Sequence, residues 1–278
     1  MDGLGRNFNA LVVIPTYNEI ENIEIVVRGV HRFMPRAHIL VVDDNSPDGT
    51  GVVADRLATV DSRVHVVHGE RKGGLGAAYL RGFGWALDSN YDVVVEMDAD
   101  GSHDPADLVG LMEALGQADL VIGSRWIAGG RVVNWPRWRR LLSRAGNAYS
   151  RWMLRTSLRD ITGGFRAFRA NALRAIDLST VSSQGYCFQV DVAVRAELTG
   201  LIITEVPITF VERQRGSSKM SMAIVLEALW KVTLWSLKSG TRYRTSSCGP
   251  VSDRGDGRGP GAEPDSLDSG AELGSTAS

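Results

Sequence analysis

The chain has 278 residues, is 44% hydrophobic and 23% charged, and carries a formal net charge of −1, a composition that supports a substantial core without staples. That charge gives no global electrostatic case for a nucleic-acid partner. Its two cysteines, Cys187 and Cys248, belong to no CxxC or Cys/His cluster, which argues against structural zinc and for a reducing compartment.

The N-terminal stretch MDGLGRNFNALVVIP has no basic segment followed by a long apolar core. No signal peptide or anchor is expected there, and the chain is expected to start in the cytoplasm. Residues 1–8 read as an extension and 9–240 as one catalytic domain. β-Branched runs at 10–14, 38–43, 63–68, 91–97 and 118–124 read as strands, and residues 19–33, 48–59, 74–89 and 104–116 as helices. This alternation is the signature of an α/β fold with a mostly parallel sheet. From Trp126 to Arg155 come Gly129, Gly130, a run of Arg and Trp, and a helix-like stretch to Leu154. Beyond it, 162–169 reads as a turn into a strand, 185–200 as a helix and 201–212 as a strand, all added to the first sheet. The segment from Met220 to Lys238 reads as an amphipathic helix interrupted by Glu227, Lys231 and Lys238. No window reaches the roughly 18 uninterrupted apolar residues of a spanning helix. Residues 241–278, rich in Ser, Gly, Asp and Pro, are too poor in apolar content to offset their chain entropy and are expected to be disordered.

The candidate chemistry lies at the carboxyl ends of the expected strands, where open α/β sheets bind ligands. After the first strand come Pro15, Thr16, Tyr17, Asn18 and Glu19; after the second, Asp43 and Asp44; after the fourth, Asp98, Ala99 and Asp100. Side chains two apart on an extended strand end point the same way, so Asp98 and Asp100 can face one point. Two hard oxygen donors there suit Mg²⁺ or Mn²⁺ carrying a diphosphate. An isolated DxD is commonly just an acidic turn; three such loops on one sheet edge are harder to dismiss.

Several groups have two readings. Gly73, Gly74 and Gly76 follow the third strand, so they do not form the dinucleotide fingerprint, which follows the first; they either open a helix or let backbone approach a ligand. Asp43 and Asp44 divide between capping the next helix and receiving a base or ribose. Arg125, Arg213 and Lys219 are either solvated cations or neutralise a leaving diphosphate. Trp126, Trp135, Trp138 and Trp152, interleaved with arginines, suit lipid headgroups or the core of a lid. Gln189 and Asp191 read as orienting groups, with a general base as the other role of Asp191.

The strings PTYNE, VVDDNSPDGT, ERKGGLGAAYLRG, MDADGSHDP and IGSR resemble the catalytic domain of glycosyltransferase family 2. ITGGFRAFR, GYCFQVDV and FVERQRGSSKMS are similar to the polyprenol or dolichol phosphate mannose synthases within it, over roughly residues 9–238. The resemblance implies a GT-A fold and inverting transfer of mannose from GDP-mannose to a polyprenyl monophosphate, at the cytoplasmic membrane face as a peripheral protein, with a separate anchor protein as a further partner. It places Pro15, Tyr17, Glu19, Asp44, Gly74 and Asp98–Asp100, Ala99 included, at the nucleotide sugar. Asp98 and Asp100 are its metal ligands, and Ser102 stands where relatives often carry a third, Gln. A UDP-glucose-dependent polyprenyl phosphate glucosyltransferase and a noncatalytic nucleotide-sugar-binding protein are the alternatives. A processive synthase lacks support, because IGSRW, NWPRW and AYSRW all miss the Gln of QxxRW.

A phosphate monoester is already anionic near neutral pH, with a second pKa near ~6. It requires a basic pocket more than a base, and Arg139, Arg140 and Arg144 of WPRWRRLLSR are the candidates.

Overall fold

Apolar runs flanked by amphipathic segments leave one arrangement that hides both sheet faces, and the computed structural model adopts it. It describes residues 8–181, 186–213 and Thr233. The first half alternates β1 (Ala10–Thr16), α1 (Ile23–Phe33), β2 (His38–Asp43), α2 (Thr50–Val60), β3 (Val64–His68), α3 (Leu75–Asp88), β4 (Val93–Glu96), α4 (Asp107–Ala114) and β5 (Leu120–Ser124). The second half adds β6 (Arg131–Val133), α5 (Arg137–Leu154), β7 (Arg166–Arg169), α6 (Ala170–Ala175), α7 (Tyr186–Leu198), β8 (Ile203–Pro207) and β9 (Thr209–Val211).

Seven strands form one sheet in the order β3-β2-β1-β4-β7-β5-β8, with β6 and β9 paired apart from it. β7 runs antiparallel to both neighbours, and the other pairs are parallel. The strands are apolar on both faces because helices cover both. Val12 and Ile14 of β1 join Val26, Val30, Leu108 and Leu111 from α1 and α4 in one core. Leu11 and Val13 face the other, with Tyr79 and Phe83 of α3 and Phe188 and Val192 of α7. The chain moves outward from β1 to β3, then returns through α3 to β4 on the other side of β1. That reversal makes the β1/β4 boundary the switch point at which such sheets open a crevice.

The expected fold class and the five early strands match the structure to within a few residues. One expectation is corrected: residues 201–212 form two strands, not one. β8 ends at Pro207, and β9 leaves the main sheet to pair with β6. The short β6 was not foreseen, since three residues carry no readable period. The expected helix at 220–238, apart from Thr233, and the tail at 241–278 lie outside the described residues. Thr233 Oγ1 is 2.7 Å from the Tyr149 hydroxyl on α5.

α3 lies unusually close to the sheet, at a glycine. A Cβ at Gly82 would sit 2.4 Å from Val13 Cγ1 and 3.4 Å from Val42 Cγ2. Gly82→Ala is therefore expected to lower unfolding free energy by about 1–3 kcal/mol, despite alanine's better helix propensity. Urea unfolding followed by far-ultraviolet circular dichroism measures it; unchanged stability would show that α3 shifts freely.

Candidate active site

The carboxyl ends of β1, β2 and β4 converge because their registers place Thr16 beside Asp43 and Val13 beside Glu96. Asp43 caps the loop after β2: it accepts the Thr16 hydroxyl at 3.1 Å and the Ser46 amide at 3.1 Å. Asp44 points the other way. Its two oxygens accept the Gly73 and Gly74 amides, each at 2.8 Å. Gly74 has φ +88 and ψ 171, a conformation in essence restricted to glycine. The two readings of these groups thus meet in one device, in which Asp44 shapes the glycine turn that opens α3.

Around this turn, Pro15 is buried in β1 and Tyr17 is half-buried, with Lys72 Nζ 3.7 Å from its ring centroid. Glu19 accepts the Asn22 side-chain amide at 2.8 Å, and its own amide donates to Thr50 Oγ1 at 2.9 Å. The Ala99 side chain packs into the core with Met97, which leaves its main chain at hand for a ligand.

Past β4 the carboxylates of Asp98 and Asp100 occupy the crevice. Asp98 Oδ1 accepts the Tyr79 hydroxyl at 3.0 Å. Asp100 accepts the Ser102 amide at 3.0 Å and pairs with Arg213 at 2.8 Å. Burial, with the neighbouring Asp100 charge second, pushes Asp98 up to about 7. The Asp98 amide donates to His103 Nδ1 at 3.1 Å, which requires the lone pair of a neutral ring with its proton on Nε2. Burial holds His103 at about 4, in keeping with that state. Below Asp98, burial raises the fully enclosed Glu96 to about 8, opposed by Arg166 at 4.0 Å.

These donors fit a divalent cation. Among the described residues no group of three or more His, Cys, Asp and Glu could hold a metal, so this edge offers two carboxylates and must draw further oxygens from elsewhere. Mg²⁺ sites are commonly built so, from one or two carboxylates plus substrate phosphates. The Ser102 hydroxyl is buried without a hydrogen-bond partner beside Asp100, an orphan of the kind a ligand satisfies.

The arginines are placed less simply than their sequence suggests. Arg125 is buried, and its fork grips Asp160 with two hydrogen bonds of 2.7 Å. Its charge is thereby matched within the fold rather than presented as a free cation. Arg139 pairs with Glu212 and covers the Trp135 ring. Arg140 donates to the Val132 carbonyl at 3.1 Å, and Arg144 lies over Trp126. Arg213 pairs with the DxD carboxylate of Asp100, and Lys219 lies outside the described residues. The tryptophans divide: Trp135 is buried, whereas Trp138 and Trp152 are 64% and 75% exposed. Asp191 pairs with Arg195 at 2.7 Å on α7, and Gln189 is buried with its side-chain amide toward the Glu96 carboxylate.

Sequence reasoning missed Tyr79, His103 and Asp160. Two had readable signals: His103 stands three residues after Asp100, and Tyr79 lies within the first turns of the helix that the glycines open. Asp160 had none, since its partner is 35 residues away.

The profile described as Glycosyl transferase family 2 matches residues 11–177. The polyprenol monophosphomannose synthase of Mycolicibacterium smegmatis is 56% identical over 231 residues, covering 82% of this chain and 87% of that protein. The undecaprenyl-phosphate mannosyltransferase of Micrococcus luteus is 55% identical over 227 residues, covering 82% and 93%. Among solved structures, glucosyl-3-phosphoglycerate synthase from Mycobacterium tuberculosis, in complex with Mn²⁺ and UDP-glucose, superposes with a TM-score of 0.60 at 21% identity. It covers 84% of this chain and 80% of its own, and shares the fold. With a profile match over more than half the chain, close relatives over most of it, and carboxylates gathered at the switch point, this chain belongs to glycosyltransferase family 2.

Proposed function

We propose that this glycosyltransferase moves mannose from GDP-mannose, with inversion, to a polyprenyl monophosphate, working as a peripheral protein at the cytoplasmic face of a membrane. The observation that carries the reading is the Asp98/Asp100 pair at the sheet's switch point, in a chain 55–56% identical to proteins named for mannosyl transfer to prenyl phosphates. No helix among the described residues is long and apolar enough to cross a membrane.

Asp98 and Asp100, with the Ser102 hydroxyl, would hold Mg²⁺ or Mn²⁺. When bound, the cation neutralises charge on the departing diphosphate. Arg213, already on Asp100, adds a second positive charge at that point. The Asp44-held turn with Gly74, together with Pro15, Tyr17 and Glu19, would receive the nucleotide. The acceptor's phosphate oxygen attacks the sugar C1 opposite the diphosphate; the new O–C1 bond forms as the old one breaks, and the configuration inverts. The attacking oxygen carries no proton at neutral pH, so no base is needed, and the ion-paired Asp191 fits a positioning role. UDP-glucose is the competing donor.

Transfer of radiolabelled mannose from GDP-mannose into an organic-soluble lipid is the direct test. Chelation should abolish it and added Mg²⁺ or Mn²⁺ restore it; label entering lipid from UDP-glucose alone would overturn the donor assignment, and no lipid label from any donor would overturn transfer itself. Asp100→Asn should lower kcat by about a hundredfold or more, with the fold intact by circular dichroism.

Tyr79→Phe removes a hydrogen bond that favours the ionised Asp98. It should weaken Mn²⁺ affinity, measured by calorimetry with GDP present, by about tenfold. Equal affinity in the variant would show that the hydroxyl does not support the metal site.

A further inference from the structure

We propose that Glu212 is an internal competitor at the acceptor's phosphate site: its carboxylate holds the phosphate's place on Arg139, yields to the substrate, and returns to help expel the product. This deepens the preceding reading and rests on it for the acceptor's chemistry. Glu212 pairs with Arg139 in the first turn of α5. That turn carries Arg137, Arg139 and Arg140 and no acidic residue, so the helix end and its cations together draw an anion. Glu212, 73 residues beyond Arg139, supplies it.

The pairing leaves Arg139 half used. Its guanidinium lies 4.4 Å from the Trp135 ring centroid and gives one Nη1 hydrogen bond to Glu212, while its Nε is buried without a hydrogen-bond partner. A guanidinium fork takes a carboxylate or phosphate through two parallel bonds, and a buried donor left unpaired is costly. A phosphate has oxygens enough to satisfy both.

The carboxylate on Arg125 shows why Glu212 is the one that can leave. Asp160 is fully buried and accepts the Arg125 amide at 2.9 Å and two nitrogens of its fork at 2.7 Å each. It is fixed. Glu212 holds Arg139 through one oxygen and is 27% exposed, so it can turn to water without leaving a buried charge. The chain beneath it stays in place. The Val211 amide donates to the Ser102 carbonyl and the Glu212 amide to the Val133 carbonyl, each at 3.0 Å, and Arg213 beside it remains on Asp100.

A tethered competitor weakens every phosphate ligand by the same factor, because each must first displace it. Substrate and product differ in what they bring against it. A phosphate monoester carries about −1.5 to −2 near pH 7. As its oxygen bonds to the sugar C1, the diphosphate leaves with the electron pair of the old bond, and one negative charge passes from the acceptor to the leaving group. The product is a diester with a single charge, no more than Glu212 carries itself. The substrate retains useful affinity, and the product leaves.

The test is calorimetry on the full chain with geranyl phosphate and with its methyl diester, in EDTA so that no metal at the DxD attracts phosphate. Glu212→Gln should bind both ligands about tenfold more tightly, and the gain should vanish when Arg139→Gln is already present. In transfer assays the mannosylated product should inhibit Glu212→Gln at about tenfold lower concentration. Unchanged or weaker binding by Glu212→Gln would overturn the proposal, since a residue that merely props Arg139 loses affinity when cut. So would a gain that survives in the Arg139→Gln background, which would show a general field rather than displacement, or geranyl phosphate binding to neither chain. Tighter binding by Glu212→Gln with no mannosyl transfer by the unaltered chain would retain the competitor and reject the transferase reading instead.

Discussion

The catalytic edge depends on how β4 ends, with two carboxylates close together and largely shielded from water. A carboxylate so placed tends to take up a proton unless a positive charge stands beside it. Asp100 pairs with Arg213; Asp98 accepts the Tyr79 hydroxyl and feels Arg213 and Arg125 as weaker favourable charges, and burial outweighs them to lift it to about 7. The surroundings keep this imbalance in place. His103 stays neutral while accepting the Asp98 amide, and Arg125, the large cation nearby, is bound by Asp160. On the reading proposed, Asp98 and Asp100 would release that imbalance by holding a divalent cation, and its affinity would then depend on pH.

The same edge explains why the glycine turn sits where it does. Fixing Gly73 and Gly74 with both oxygens of Asp44 ties the end of β2 to the start of α3, and α3 carries Tyr79 to Asp98. The Gly82 contact with Val13 sets how near that helix can lie to the sheet. The Asp44-held turn and the environment of the DxD are thus joined through one helix.

Much of this was legible because it obeys local periods. Strands buried on both faces read as apolar runs, and Asp98 and Asp100 read as a pair because side chains two apart share a direction. What the sequence concealed depends on partners far along the chain. Arg125 and Arg139 looked like free cations until Asp160, 35 residues on, and Glu212, 73 residues on, were seen to hold them. The break at Pro207 was hidden inside an apolar run, since departure toward β6 is decided by pairing rather than by a turn signal. Trp135 and Trp138 are three residues apart, yet one is buried and the other exposed, because Trp135 precedes the helix and packs against Phe210 and Arg139.

A near-neutral chain conceals a strong asymmetry. The nine arginines between 125 and 159 are offset by an acidic excess elsewhere, part of it concentrated at the DxD. In the reaction proposed, a phosphate acceptor and a diphosphate donor must approach within bonding reach of one sugar carbon, though both are anions. One compensating charge cannot serve both without also drawing them to the same place. Carboxylates gathering a cation for the diphosphate, and a separate arginine-lined helix for the lipid phosphate, would keep the two attractions apart. On this account the acidic pair and the basic helix are complementary parts of one charge arrangement, divided by the loop between Thr162 and Gly164.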